Sequence, residues 1–390
     1  MPYFSFSLND NFKLKDLNGI ITHPNKIKKN IKYFSKNTSL WRLLNKKKLT
    51  NKINFVKFEK RKKVSNIKNK ILFCLPPSIG LGDSIEYALS IKAIIDQRSY
   101  TKVGIAYIGR YYEIFKRYFK IKNLHEDVID EKKMNQYDTL FHFTLEINEF
   151  LFQKYNRSDI EFLITKYFNV KLLRNFNFVN NSKKKYIKKL TFFPISKSPI
   201  RTLRRDIIDS LINHYSDKYE IEIIFDKQSS ISNMIDSQIQ SSKIKKLYPE
   251  NLNDLLNIIE NINFGIFIDS GPLHVAKILR KKGVFISTSV GANILLNDFH
   301  TIAEVKNYYA SAFCKSPCGL TNIFSYNNKY GCYETLRVRK EEIMKIDKLN
   351  NLQRGQVKTN YIKFVDNPVG CQNNINFNMI KDLINKNLSN

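Results

Sequence analysis

The recurrence of short, wholly apolar runs, each followed by helical periodicity, constrains this chain more than any single residue does. ILFCL (71–75) offers no polar position to turn toward water. It therefore predicts a strand covered on both faces, the usual situation in a parallel sheet. PPSIGLGD interrupts it, and SIEYALSIKAIID resumes with Ile85, Leu89 and Ala93 or Ile94 on one helical face. Strand, glycine loop and helix open an α/β unit. KVGIAYIG with RYYEIFKRYF, and YDTLFHF with SDIEFLITKYF, repeat the pair. A lysine-rich stretch, NNSKKKYIKKL (180–190), suits a linker. The alternation then restarts with the strands LTFFPI, EIEIIF, FGIFID and GVFIST, interleaved with the helices RTLRRDIIDSLINHY, SISNMIDSQIQ, LNDLLNIIENI and PLHVAKILRKK. The expectation is an α/β chain of two Rossmann-like domains with parallel sheets facing a cleft. The boundaries read as a basic leader at 1–70, a first domain at 71–185 and a second at 190–310. An extension at 311–390 holds most of the cysteines and a last helix near 375–388, with Met379, Leu383 and Ile384 on one face. That helix is expected to cross back to the first domain.

Composition narrows the classes. Of 390 residues 43% are hydrophobic and 26% charged, which excludes wholesale disorder. No run of about 18 apolar residues occurs, so no spanning helix is expected. The start, MPYFSFSLNDNF, does not read as a secretory signal. Five cysteines are too few for a disulfide scaffold and point to a reducing, cytoplasmic setting.

The formal charge is +30, and residues 1–70 carry 19 Lys and Arg against three acids, Asp10, Asp16 and Glu59. Such a charge suits nucleic acid, an anionic surface or an anionic substrate. Against nucleic acid, there are 51 Lys but 14 Arg, the usual reader of bases, and no nucleic-acid-binding signature is present. No nucleic-acid partner is expected. The leader reads as loosely ordered. Its one amphipathic stretch begins after Ser39, a candidate cap, and carries Trp41, Leu43 and Leu44. The alternative for the leader is a peripheral contact with an anionic membrane at its inner face.

The most informative segment is FGIFIDSGPLHVAKILRKKGVFISTSVGA (264–292). A strand ends in Asp269, Ser270 and Gly271 make a turn, Ser270 is a candidate cap, and Pro272 sits at the expected first helical position. Unpaired N–H groups and the positive dipole end favour a phosphate there, and His274 lies in the first turn. The residues alone are equally compatible with an ordinary βα turn bearing a surface histidine.

IDSGPLHVAKILRKKGVFIS resembles the signature of the ADP-heptose:lipopolysaccharide heptosyltransferases, glycosyltransferase family 9, at Asp269, Ser270, Gly271, Pro272, His274, Ala276 and Gly283. ILFCLPPSIGLGDSIEYALSIKAI resembles the family's opening strand and its Gly-Asp pair, here Gly82 and Asp83. The likeness covers about residues 70–305. The sequence departs from the family at Ile195, where glycine is expected, and at Leu203, near an expected tryptophan. FDKQSS stands where the family has Gly-Gly-x-x-Glu.

The resemblance implies a GT-B fold, with the donor on the second domain and the acceptor on the first. It further implies inverting transfer with no metal and no cofactor. Asp83 is then the catalytic base, with helix capping as its competing role, and Gly82 and Glu86 lie on the acceptor side. Donor binding falls to Asp269, Ser270, Gly271, Pro272, Leu273 and His274. Ser196 and Arg201 join them, with Lys197 the alternative to Arg201. The expected function is transfer of a heptose-like sugar from a nucleotide-diphosphate donor to a glycan or lipid-linked acceptor, in cell-surface polysaccharide synthesis such as that of lipopolysaccharide. A catalytically inactive relative, or a basic module for anionic surfaces or nucleic acid, stands as the competing reading. Cys314, Cys318, Cys332 and Cys371 are spaced for either a structural metal or ordinary thiols, and Cys74 reads as strand core.

Overall fold

The computed structural model describes residues 3–9, 17, 20–21, 27–47, 50–56, 69–76, 79–143, 160–172, 186–296, 301–311, 315–319 and 370–389. The chain divides into two compact units, Met1–Asn175 and Phe176–Asn390. The lysine-rich stretch from residue 180 lies mostly outside the described residues.

The first seventy residues depart from expectation. Strands β1 (Tyr3–Leu8), β2 (Lys32–Ser35) and β3 (Thr50–Val56), with helix α1 (Thr38–Lys47) between the last two, make them part of the first unit. The strands are antiparallel in the order β3-β1-β2, and a fourth, β7 (Val128–Asp130), closes the sheet. Strict alternation in YFSFSL puts Phe4, Phe6 and Leu8 on one face. There they are buried with Leu17, Ile21, Ile27, Tyr33, Leu40 and Leu44. Fully burying each such side chain contributes about 1.5–3 kcal/mol. Leu40 and Leu44 are 0% exposed, and Trp41 and Leu43 pack against the same cluster. Of the amphipathic stretch, Leu40 and Leu44 thus belong to the protein's own core, and Trp41 and Leu43 are partly buried beside it. The cap of α1 is Asn37, whose Oδ1 accepts the Leu40 N–H at 3.0 Å, and Ser39 lies within the helix.

The α/β part of this unit is a parallel sheet in the order β6-β5-β4-β8, from β4 (Lys70–Cys74), β5 (Lys102–Ala106), β6 (Asn123–His125) and β8 (Thr139–His142). Helices α2 (Leu81–Gln97), α3 (Tyr112–Arg117), α4 (Glu131–Met134) and α5 (Ile160–Phe168) connect or follow the strands. Period two separates the two faces of β4. Phe73 meets Phe143 and Phe168 on one side, with centroids 5.8 Å away in both cases. Leu72 and Cys74 join Phe34, Ala106, Tyr107 and Ile129 on the other. Phe34 belongs to β2, so the basic leader covers the face that a doubly wound sheet usually gives to helices.

The second unit holds a six-stranded sheet in the order β11-β10-β9-β12-β13-β14, parallel throughout. Its strands are β9 (Lys189–Phe193), β10 (Glu220–Ile224), β11 (Ile244–Leu247), β12 (Phe264–Phe267), β13 (Gly283–Ile286) and β14 (Ile302–Val305). The helices are α6 (Arg205–Tyr215), α7 (Ser230–Gln238), α8 (Leu252–Glu260), α9 (Gly271–Ile278), α10 (Ala292–Leu295), α11 (Gly370–Asn373) and α12 (Phe377–Leu388). Helix α12 packs on β13, β14 and α6 of its own unit. Ile380 and Ile384 enter that unit's core, and the Tyr215 hydroxyl donates to the Lys381 carbonyl at 3.2 Å. The expected return to the first unit is not what these contacts describe: the buried stripe is Ile380 and Ile384, while Met379 is exposed.

Candidate functional site

The chain runs from β9 to β10 and β11 on one side, then crosses to β12 on the other. The carboxyl ends of β9 and β12 therefore flank a topological switch point, where open α/β sheets bind ligands. Both loops leaving these ends carry the residues singled out from sequence.

After β12 come Ile268, Asp269 and Ser270, and α9 begins at Gly271. Pro272 is accordingly the second helical residue rather than the first. Ser270 holds the cap position in extended backbone (φ −157°, ψ 167°), but its side chain makes no capping bond. Its hydroxyl donates to the Ile268 carbonyl at 3.4 Å instead. The Leu273 side chain is core, so only its backbone belongs to the turn; its N–H donates to the Ser270 carbonyl at 3.1 Å. Gly271 keeps the N–H of a first helical position, which has no intrahelical acceptor.

After β9, a 3₁₀ turn (Pro199–Arg201) delivers Arg201 to this place. Thr202 fixes the loop: its hydroxyl oxygen accepts the Ser196 N–H at 3.1 Å and it donates to the Ser198 carbonyl at 3.1 Å. Leu203 closes the loop by donating its N–H to the Pro194 carbonyl at 2.8 Å and is itself buried core. Arg201 Nη1 donates to Asp269 Oδ1 at 3.0 Å and to the Asp269 carbonyl at 3.2 Å. The side chains are 17% and 4% exposed. This is a buried, charge-assisted contact that spans the switch point. Arg201 Nε has no acceptor among the described residues. Lys197 is exposed, and Arg201 meets Asp269.

His274 is buried on α9 rather than at the surface. Burial, then the cations of Lys277 and Arg201, push its pKa well below the usual histidine value. It is a neutral imidazole, able to donate one N–H. The loop after β13 lies outside the expected site residues. Thr288 and Ser289 follow β13, and their hydroxyls, like that of Ser198, are buried with no partner among the described residues. The Ser-Thr-Ser run after an apolar strand was the available signal.

In the first unit, Gly82 and Asp83 sit in the opening turn of α2. Asp83 is exposed, and its Oδ2 accepts the Gly80 N–H at 2.8 Å, the capping arrangement. Glu86 is 6% exposed, and its Oε2 accepts the Ile160 N–H at 3.2 Å. It braces the start of α5, where a carboxylate meets the favourable dipole end.

Among the described residues no group of three potential metal ligands gathers. Cys314 and Cys332 lie outside those residues, Cys318 is exposed, and Cys74 and Cys371 are buried. No helix among them is long and apolar enough to cross a membrane.

No family profile matches the chain, and no curated protein does. Solved structures are similar to it at low identity. E. coli ADP-heptose lps heptosyltransferase II is 14% identical over 62% of this chain and 91% of its own, with a TM-score of 0.44. The iron-containing dodecameric glycosyltransferase TibC from enterotoxigenic E. coli is 12% identical over 99% of this chain and 92% of its own, with a TM-score of 0.46. The glycosyl transferase family 9 structure from Veillonella parvula is 11% identical over 83% of this chain and 98% of its own, with a TM-score of 0.50. The fold of this chain is therefore the α/β, GT-B fold of that Veillonella structure, as the IDSGPLH segment implied.

Proposed function

We propose that this protein is a glycosyltransferase that moves a heptose-like sugar from a nucleotide-diphosphate donor to a glycan or lipid-linked acceptor in cell-surface polysaccharide synthesis, by inverting, metal-independent transfer. The observation that carries the reading is Arg201, anchored on Asp269 beside the start of α9 at the switch point of the second sheet. A guanidinium, a helix dipole end and an open Gly271 N–H together make a site for a diphosphate. The neutral His274 adds one N–H donor without adding charge.

In the proposed reaction the acceptor hydroxyl oxygen bonds to the anomeric carbon as the bond from that carbon to the diphosphate oxygen breaks. Asp83 takes the hydroxyl proton, and the electron pair leaves on the diphosphate. Direct displacement inverts the anomeric centre. Arg201, the Gly271 N–H and the α9 dipole meet the growing negative charge, the role a metal fills elsewhere. The oxygen of Asp83 that does not bind Gly80 has no donor among the described residues and is the one that receives the proton.

Mass spectrometry of nucleotide-sugars retained by the purified protein is the first test. A retained nucleotide-sugar should raise the melting temperature when added back, and nucleoside diphosphate should be released on addition of cell-envelope glycan, undiminished by a chelator. No retained nucleotide-sugar, together with no thermal shift from millimolar ADP- or UDP-sugars, would sink the reading.

A further inference from the structure

The first α/β sheet has a switch point of its own. The chain leaves β4 toward β5 and β6 on one side and returns as β8 on the other. Into the carboxyl edge at this point reaches Lys36, a residue of the basic leader that follows β2 directly. It is 2% exposed, an unusual depth for a lysine. Its Nζ donates to the Leu75 carbonyl at 3.1 Å and to the Cys74 carbonyl at 3.5 Å, the end of β4. It lies 5.4 Å from the ring centroid of Tyr107, the residue after β5. Burial first, and then this ammonium, push down the pKa of His142, the residue of β8 in register with Cys74. One ammonium therefore bears on the ends of three neighbouring strands.

The chain around it is constrained. Tyr107 adopts φ 65°, a left-handed conformation costly for an aromatic residue and characteristic of functional sites. Ser35 donates its hydroxyl to the Asp127 carbonyl at 2.8 Å, which fixes the backbone one residue before Lys36. Burial pushes the Lys36 ammonium down to about 8, so the fold accepts a costly desolvation to keep this group here. Cys74 and Leu75 stand immediately before the loop that carries Gly80, and Gly80 in turn holds Asp83.

We propose that Lys36 is a positioning residue for the acceptor half: by holding the Cys74 and Leu75 carbonyls it sets the departure of the loop that orients Asp83 through the Gly80 N–H. The leader is then part of the acceptor-side machinery rather than an appended basic arm. The hydrogen bonds of Lys36 and of Gly80 stand on their own, and only their consequence for turnover rests on the glycosyltransferase reading.

The test uses the full chain with Lys36→Met, which keeps the buried volume and removes the donor. Three quantities are read: hydrogen exchange at the Gly80 amide, affinity for the nucleotide-sugar found by mass spectrometry, and the split of turnover into kcat and acceptor KM. Exchange at Gly80 should quicken by about tenfold or more while helix α6 amides keep their rates. Donor affinity should stay within about twofold, and kcat should fall by about 10–100-fold with little change in KM, the range expected when a general base is misplaced. A lower melting temperature with unchanged Gly80 exchange and unchanged kcat would overturn the proposal, because Lys36 would then be only a structural element. If the wild-type protein binds no nucleotide-sugar, the enzyme reading fails, and Gly80 exchange alone still decides the positioning claim. Should Lys36→Met fail to fold, Lys36→Leu, which likewise lacks a donor, carries the same measurements and the same expected outcomes.

Discussion

Arg201→Met separates what the Arg201–Asp269 contact does for the fold from what it does for a ligand. The Asp269 carboxylate is 4% exposed, so once the cation is gone its charge cannot relax into water. Breaking one side of a buried pair costs about 3–5 kcal/mol. Arg201 is 17% exposed, which places this case near the lower end, about 3 kcal/mol. At about 2–4 °C per kcal/mol for a unit of this size, the second unit's melting transition should drop by about 6–12 °C. Adding Asp269→Asn removes the stranded charge and keeps the shape, so the double variant should recover most of that loss. Calorimetry of the wild type, both single variants and the double variant closes the thermodynamic cycle. The folded double variant then tests the ligand role without interference from unfolding. Loss of the guanidinium should weaken nucleoside diphosphate binding by about 1.5–3 kcal/mol, roughly 10–150-fold. Additive destabilisation in the cycle would refute the pairing argument. Unchanged nucleotide affinity in the double variant would move the donor site elsewhere.

Asp83→Asn should keep both the cap to Gly80 and donor affinity, yet lower turnover by about 10²–10⁴-fold; near-normal turnover would remove Asp83 as the base. Burial and then the cation of Lys133 push His125 down to about 4, and burial and then Lys36 push His142 down to about 3. The unfolded chain thus binds protons that the folded chain refuses. Stability from these groups is complete above about pH 6.5 and is lost as pH falls toward 4 and then 3, by up to about 1.4 kcal/mol per pH unit for each histidine. Urea midpoints between pH 7 and 4 should show this slope, and a double His125→Gln and His142→Gln variant should flatten it; an equal slope in the variant would count against the assignment. Ile380→Ala and Ile384→Ala should each cost about 2–5 kcal/mol in the second unit's transition, because both side chains are fully buried there. A loss confined to the first unit's transition would mean that α12 belongs elsewhere.

The amino-acid sequence determined the alternating elements and the turn at Asp269–Gly271 because those signals are local. An apolar run such as 71–75 has no face for water in any fold, and a proline and glycine after a strand end shape a helix start wherever it sits. Period-two order in YFSFSL is equally local and marks β1, although the net charge of +16 over residues 1–70 suggests a loosely ordered arm. Only the tertiary structure decided which groups meet. Arg201 stands 68 residues before Asp269, and Lys36 stands 38 and 39 before Cys74 and Leu75. Nothing in their spacing distinguishes them from other basic residues in a chain with 65 of them. The partner of Glu86 likewise lies far along the chain, 74 residues on, in the Ile160 N–H at the start of α5. Backbone hydrogen bonding and hydrophobic period act over a few residues and can be read in order along the chain. The depth at which a charge is buried, and the partner that makes the burial tolerable, depend on strand order and on which face each loop leaves.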